Sequence, residues 1–303
     1  MRLKQVIQKI FHFPRRLVRE SIMVFNLVRL SFINRFGRSP VTQSGMPVVS
    51  LTTYGNRIKS VHLAIESIAN GFCRPSRLIL WLDEQSVLAN LPPAIRRLQK
   101  RGLEVRLTKN YGPHKKYYPY VESQSSFEVP LVTADDDILY PRYWLKALVS
   151  ANQEHPKLVN CFRARVIELA DGRFKPYSSL ESCLSTVSQY RNIAIGCMGV
   201  IYPEALLLKL KRAGTAFESC CPKADDIWLH VQAIRSGHKI RQIMPKLPYL
   251  AFQNLPGTQQ SALSRDNVDS DGNDPQIKAT YSQSDIQILQ EESVLQFPSL
   301  LAS

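Results

Sequence analysis

Three consecutive carboxylates, Asp135, Asp136 and Asp137, end a short apolar run, and a second acidic pair, Asp225 and Asp226, opens an amphipathic segment further along the chain. Adjacent ionised aspartates repel one another, so a fold that gathers them is expected to supply a cation. Hard carboxylate oxygens suit Mg²⁺ or Mn²⁺, shared with the phosphates of a substrate. The pair at 225 and 226 has a different use. A carboxylate held at a rigid helix terminus is well placed to take a proton as a general base. Each cluster also has a plainer reading: a solvated turn with one Asp as helix N-cap at 135–137, and ordinary helix-start capping at 225–226.

The flanking pattern predicts how these acids are held. Residues 130–133 read as a buried strand and 141–149 as a helix with Pro141 at or near its first turn, which puts the triplet at the carboxyl end of a strand, where open α/β sheets bind ligands. Upstream, 47–54, 77–82 and 103–107 read as strands, with helices predicted at 61–70 and 94–101 between them. This alternation predicts a mostly parallel sheet with helices on its faces. No glycine-rich phosphate loop follows the first strand, which disfavours a dinucleotide-binding enzyme or a P-loop NTPase. Residues 111–119 form a loop in which Lys115 and Lys116 lie among aromatics; turned toward the acids they would meet phosphate as point charges, and otherwise they are an exposed basic loop. Later in the chain, 159–162, 165–169 and 246–252 read as strands. The run at 193–202 carries Gly196 and Gly199, where backbone is able to approach a ligand closely.

Charge is unevenly spread. The chain of 303 residues carries +14. Nine Lys and Arg against Glu20 alone give residues 1–38 a charge of +8, leaving +6 for the rest. Val18, Ile22, Phe25, Val28, Phe32 and Phe36 lie near one helical face of this basic segment, the composition of a helix in a lipid headgroup layer. Its apolar stretch is too short to cross a bilayer, and it lacks the pattern of a secretory signal. The alternative is a helix packed on its own domain or on a second subunit. No reading module accompanies the charge, so no nucleic-acid partner is expected. The six cysteines show no metal spacing and are expected to be reduced thiols. The division expected is 1–46, basic amphipathic segment and linker; 47–252, catalytic domain; and 253–303, a polar loop, either a flap over the site or disordered, followed by a closing helix and tail.

Together, the runs at 48–57, 78–82, 115–116, 133–141 and 223–229 resemble, in the same order, the motifs of GT-A-fold nucleotide-sugar glycosyltransferases, and among them the family-2-type enzymes of bacterial surface polysaccharide synthesis. The resemblance implies an α/β, Rossmann-like GT-A domain. It implies an inverting transfer of a sugar from a nucleoside-diphosphate donor to a glycan or lipid-linked acceptor, dependent on Mn²⁺ or Mg²⁺. By the same carry-over, Thr52 and Tyr54 border the base and ribose, Arg57 the phosphates, and Asp83 the base. Lys115 or Lys116 neutralises the leaving diphosphate. Asp135 and Asp137 match the outer acids of the DxD element that holds ribose and metal, with Asp136 in its variable middle. Asp226, or Asp225, stands where the family has its catalytic base. The Gln-x-x-Arg-Trp element of processive members is missing after residue 230, which favours a single-addition enzyme. The expected location is cytoplasmic, peripheral on the inner membrane face through residues 1–38. The rival readings are a Mg²⁺-dependent nucleotidyltransferase or phosphohydrolase using the same acids, and a non-catalytic membrane-surface protein on the same scaffold.

Overall fold

The computed structural model describes residues 2–248, 250–258 and 272–296. Seven strands form the central sheet: β1 (Val48–Thr52), β2 (Arg77–Leu82), β3 (Leu103–Leu107), β4 (Leu131–Thr133), β5 (Val159–Cys161), β6 (Val200–Tyr202) and β7 (Ile240–Gln242). Their spatial order is β7-β5-β6-β4-β1-β2-β3. Only β6 runs against the rest, pairing antiparallel with both β4 and β5; the other contacts are parallel. The mostly parallel sheet flanked by helices is the architecture that the resemblance implies.

The helices used below are α1 (Arg2–Phe36), α2 (Val61–Ala69), α3 (Pro93–Gln99), α4 (Trp144–Glu154), α5 (Glu204–Ala213), α6 (Asp225–Arg235), α7 (Asn273–Thr280) and α8 (Gln283–Gln296). Both faces of the sheet are covered, which explains why its central strands read as continuous apolar runs. Along the strands the side chains alternate between two cores. Val48, Ile79 and Trp81 enter one, with Leu206, Phe217 and Trp228. Val49, Leu51, Leu78 and Leu80 enter the other, with Ile65, Ile95 and Leu148. Truncating a fully buried member such as Leu51 to Ala is expected to cost about 2–5 kcal/mol.

The chain runs outward through β1, β2 and β3, then returns to place β4 on the other side of β1, in register Ser50 to Thr133. This reversal opens a crevice beyond the carboxyl ends of β1 and β4. At the other rim, α6 ends in a Schellman turn: His238 N donates to Ala233 O and Gly237 N to Ile234 O. Gly237 takes φ 74°, a conformation that glycine adopts without a Cβ penalty.

Several local expectations are corrected. Pro141 precedes rather than begins α4; between the acids and that helix, Ile138–Leu139 forms a short strand with Gln253–Asn254. Residues 246–248 and 250–252 are not a strand, and the sheet is completed instead by β7. The run at 193–202 splits into two strands, Asn192–Ala194 and β6, around the Gly196–Gly199 turn. Residues 253–258 are docked, with Leu255 N donating to Asp137 O at 2.7 Å. Of the polar loop expected over 253–275, residues 259–271 lie outside the described residues, as do 297–303, and 273–275 instead begin α7.

Helix α1 is seated on α2 and α3. Leu30 is buried with Leu139 and Leu255. Asn34 Nδ2 donates to Glu66 Oε1 at 3.0 Å and Arg97 donates to Asn34 Oδ1. Glu66 is fully buried and pairs with Arg101 at 2.6 Å. Ile22 is half-buried, whereas Val18, Phe25, Val28, Phe32 and Phe36 lie on the exposed side. Among the described residues, no helix is long and apolar enough to cross a membrane. All six cysteines are free thiols.

Candidate active site

The turn after β4 presents its three carboxylates in different directions, each toward a partner. Asp136 is buried. It accepts from Thr53 Oγ1 at 2.6 Å and from Arg57 Nη1 at 2.9 Å, both supplied by the segment after β1. Arg57 reaches Asp137 at 3.3 Å with its other terminal nitrogen, which also donates to the Thr258 carbonyl at 2.9 Å. Asp135 pairs with Lys116 at 2.5 Å, and its backbone N–H donates to the Tyr140 hydroxyl oxygen at 2.6 Å. The cations expected from mutual repulsion are therefore supplied in part by the protein, as a guanidinium and an ammonium group.

Lys115 and Lys116 do not form an exposed basic loop. Lys115 is buried and paired with Asp83 at the end of β2. Lys116 is flanked by Asp135 on one side and by Asp225 and Asp226 on the other. Burial alone would lower its proton affinity, but these three acids hold it well above the usual lysine range. The two acidic clusters thus converge on one ammonium group.

What aims the lysines is His114. It is fully buried and stacks on Phe217 with ring centroids 4.0 Å apart. Its Nε2 lies 2.7 Å from the Cys221 carbonyl, which can only accept, so Nε2 carries the proton and Nδ1 accepts from the Tyr117 hydroxyl at 3.0 Å. Burial pushes this imidazole down to about 4, against the opposing pull of the Cys221 carbonyl, so it is neutral at physiological pH. The lysine loop is thereby fastened to the segment that leads into α6.

Asp225 and Asp226 open α6, where the free N–H groups and the helix dipole favour negative charge. Asp226 Oδ1 accepts from Gly196 N at 2.8 Å. A Cβ at Gly196 would stand 3.0 Å from that same oxygen and 3.6 Å from Lys116 Nζ, so glycine is what lets the backbone in. Burial, and for Asp226 also the charge of Asp225, raises the proton affinity of the pair, with Lys116 opposing. Asp137 is pushed up to about 6, chiefly by burial and by Asp135.

Of the residues expected from sequence, Arg57, Lys116, Asp135, Asp136, Asp137, Asp225 and Asp226 are linked through these contacts. Tyr54 and Asp83 line a small hollow at the carboxyl ends of β1 and β2, with Lys115 paired to Asp83. Thr52 stands apart from the acids: its hydroxyl donates to the Trp81 carbonyl at 3.1 Å, and Thr53 supplies the hydroxyl that meets them. Thr53, His114 and Tyr140 were not singled out by sequence. Among the described residues, no three His, Cys, Asp or Glu side chains form a ready metal site.

No family model matches the chain, and no curated protein matches its sequence. Solved structures with a similar fold include S. aureus TarS 1-349, at 15% identity and a TM-score of 0.46 over 84% of this chain and 72% of that one. The same protein in complex with UDP-GlcNAc gives 17% identity and a TM-score of 0.46 over 84% and 73%. CMP:2-keto-3-deoxy-manno-octonic acid synthetase complexed with CTP gives 14% identity and a TM-score of 0.39 over 65% and 88%.

Proposed function

We propose that the chain is an inverting glycosyltransferase that moves a sugar from a nucleoside diphosphate to a hydroxyl of a glycan or lipid-linked acceptor. The observation that carries this reading is the convergence of Asp135 and the Asp225–Asp226 pair on Lys116 at the carboxyl edge of the sheet. One displacement needs two kinds of acid: one near the departing diphosphate and one near the attacking hydroxyl.

In this reading Asp226 accepts the acceptor hydroxyl's proton as that oxygen attacks the anomeric carbon from the face opposite the diphosphate. Its raised proton affinity, caused by burial and Asp225, suits a base working near neutral pH. The Gly196 N–H fixes the carboxylate's orientation. Lys116 stands between the clusters and offsets charge gathering on the leaving group. Tyr54 and Asp83 are assigned to the nucleoside; the hollow they line is only about 10 Å³, so the base would lie over its mouth at the carboxyl ends of β1 and β2.

The donor set fits a divalent cation. Asp83, Asp135, Asp136, Asp137, Asp225 and Asp226 outnumber Arg57, Lys115 and Lys116 at this edge, and Asp137's upward shift comes first from burial and then from the neighbouring charge of Asp135. Asp135 and Asp137 would hold Mn²⁺ or Mg²⁺, with substrate phosphates completing its shell, as is usual for magnesium. Bound there, the ion would supply electrostatic neutralisation of the diphosphate.

A thermal-shift screen of nucleoside diphosphates with and without Mn²⁺ tests this reading. Stabilisation that requires nucleotide and cation together, and is lost in Asp137→Asn, is the expected result. A chain stabilised by no nucleotide under any of these conditions, or one that releases pyrophosphate from nucleoside triphosphates, would overturn it. Work on a lipid-linked acceptor would place the protein in the cytoplasm, peripheral on the inner membrane face.

A further inference from the structure

A cavity of about 590 Å³ lies between α1, residues 140–143 and residues 248, 250, 251 and 253. Its size is that of a small-molecule site. Phe25, Leu30 and Tyr140 give it an apolar wall, and Arg29 and Arg142 line it as well, the Arg142 guanidinium also donating to the Asn70 carbonyl and lying over the Phe72 ring. Among the described residues no carboxylate lines it. Two further polar atoms of lining residues, Tyr143 Oη and Gln253 Nε2, are buried without a hydrogen-bond partner among the described residues. Gln253 Oε1 already accepts from Asn26, so what remains unmet on that carboxamide is a donor. Arginine pairs with phosphate in bidentate fashion. A wall of positive charge and hydrocarbon, with no acid among the described residues, fits a phosphate group carrying an apolar chain.

Phe25 belongs both to this wall and to an exposed stripe along α1 formed with Val18, Val28, Phe32 and Phe36. The opposite face of the helix is occupied by Leu30 and Asn34, so the stripe is free to face outward. The +8 charge of residues 1–38 complements an anionic surface. We propose that α1 lies on an anionic bilayer and that the cavity takes the phosphate headgroup of a membrane phospholipid, its acyl chains continuing along the stripe. This inference does not depend on the reading of the acidic clusters.

The full-length chain would be titrated with phosphatidylcholine vesicles with and without phosphatidylglycerol, and with soluble dihexanoyl-phosphatidylglycerol. Binding to the phosphatidylglycerol vesicles and to the soluble lipid is expected, with little to pure phosphatidylcholine. Arg142→Gln should weaken both by about fivefold. Ala251→Trp, which fills the cavity without changing charge, should abolish binding of the soluble lipid, and Phe32→Ser with Phe36→Ser, on the stripe but outside the cavity lining, should release the vesicles while sparing it. Thermal melts identify any variant that fails to fold, and Arg142→Gln, at an exposed site, then decides. Equal binding by wild type, Arg142→Gln and Ala251→Trp would overturn the proposal. So would displacement of the soluble lipid by millimolar inorganic phosphate, equal affinity for pure phosphatidylcholine, or stripe-dependent self-association without lipid.

Discussion

Lys116 Nζ lies 2.5 Å from Asp135 Oδ1 and is held protonated by Asp225 and Asp226 as well, so a single ammonium group joins the turn after β4 to the start of α6. Replacing it with Met leaves buried carboxylates without their counter-charge. Removing one partner of a buried pair costs about 3–5 kcal/mol, and Lys116→Met is expected to lose stability on that scale by urea denaturation. Adding Asp135→Asn should restore part of the loss, because the orphaned charge is then also gone.

Asp226→Asn keeps the shape of the helix start but removes the proton acceptor. Nucleotide binding should persist while sugar transfer falls by about 10²-fold or more. Equal turnover by variant and wild type would place the base elsewhere. The carboxylate's folded-state proton affinity exceeds its unfolded one, so its stabilising contribution is complete below the usual carboxylate range and is lost as pH rises toward the folded value. The stability difference between wild type and Asp226→Asn should therefore shrink or reverse as pH rises above about 4.

His114 carries the opposite sign. Its folded value of about 4 lies below the unfolded 6.5, so the unfolded chain binds the extra proton first, and stability is lost as pH falls from 6.5 toward 4. The shift corresponds to a loss of about 3 kcal/mol. His114→Gln should melt with a shallower acid dependence between pH 7 and pH 5. His230, shifted down to about 4 by the same burial, keeps its share of the slope.

Gly196→Ala tests the close approach at Asp226. The added methyl meets Oδ1 at 3.0 Å and displaces it by a fraction of an ångström. Misplacing a reacting group on that scale costs about tenfold to a hundredfold in rate. Turnover should fall by that factor with a nearly unchanged melting temperature.

The strands nearest the site were legible in sequence because β1, β2 and β4 are buried on both faces and therefore written in aliphatic residues. β7 was not, since Ile240-Arg241-Gln242 looks polar. Gln242 is nevertheless buried, its carboxamide accepting from Ala164 N and donating to the Cys183 carbonyl. The acids and lysines were legible by type and order. Their pairing was not, because Thr53 and Arg57 meet Asp136 across a long stretch of chain, and Lys116 is aimed by a histidine bonded to the distant Cys221 carbonyl. No local pattern encodes such contacts. Tyr140 escaped notice for a related reason: its hydroxyl folds back onto the turn that precedes it.

Glu66, wholly enclosed and touched by Asn34 from α1, ties the basic leader to the body of the molecule. A shortened polypeptide beginning at the first strand would lose that amide, uncover Leu139 and Leu255, and expose the side of α2 on which the leader rests. The leader therefore cannot be treated as a detachable anchor: trimming it to improve solubility should yield a less soluble product.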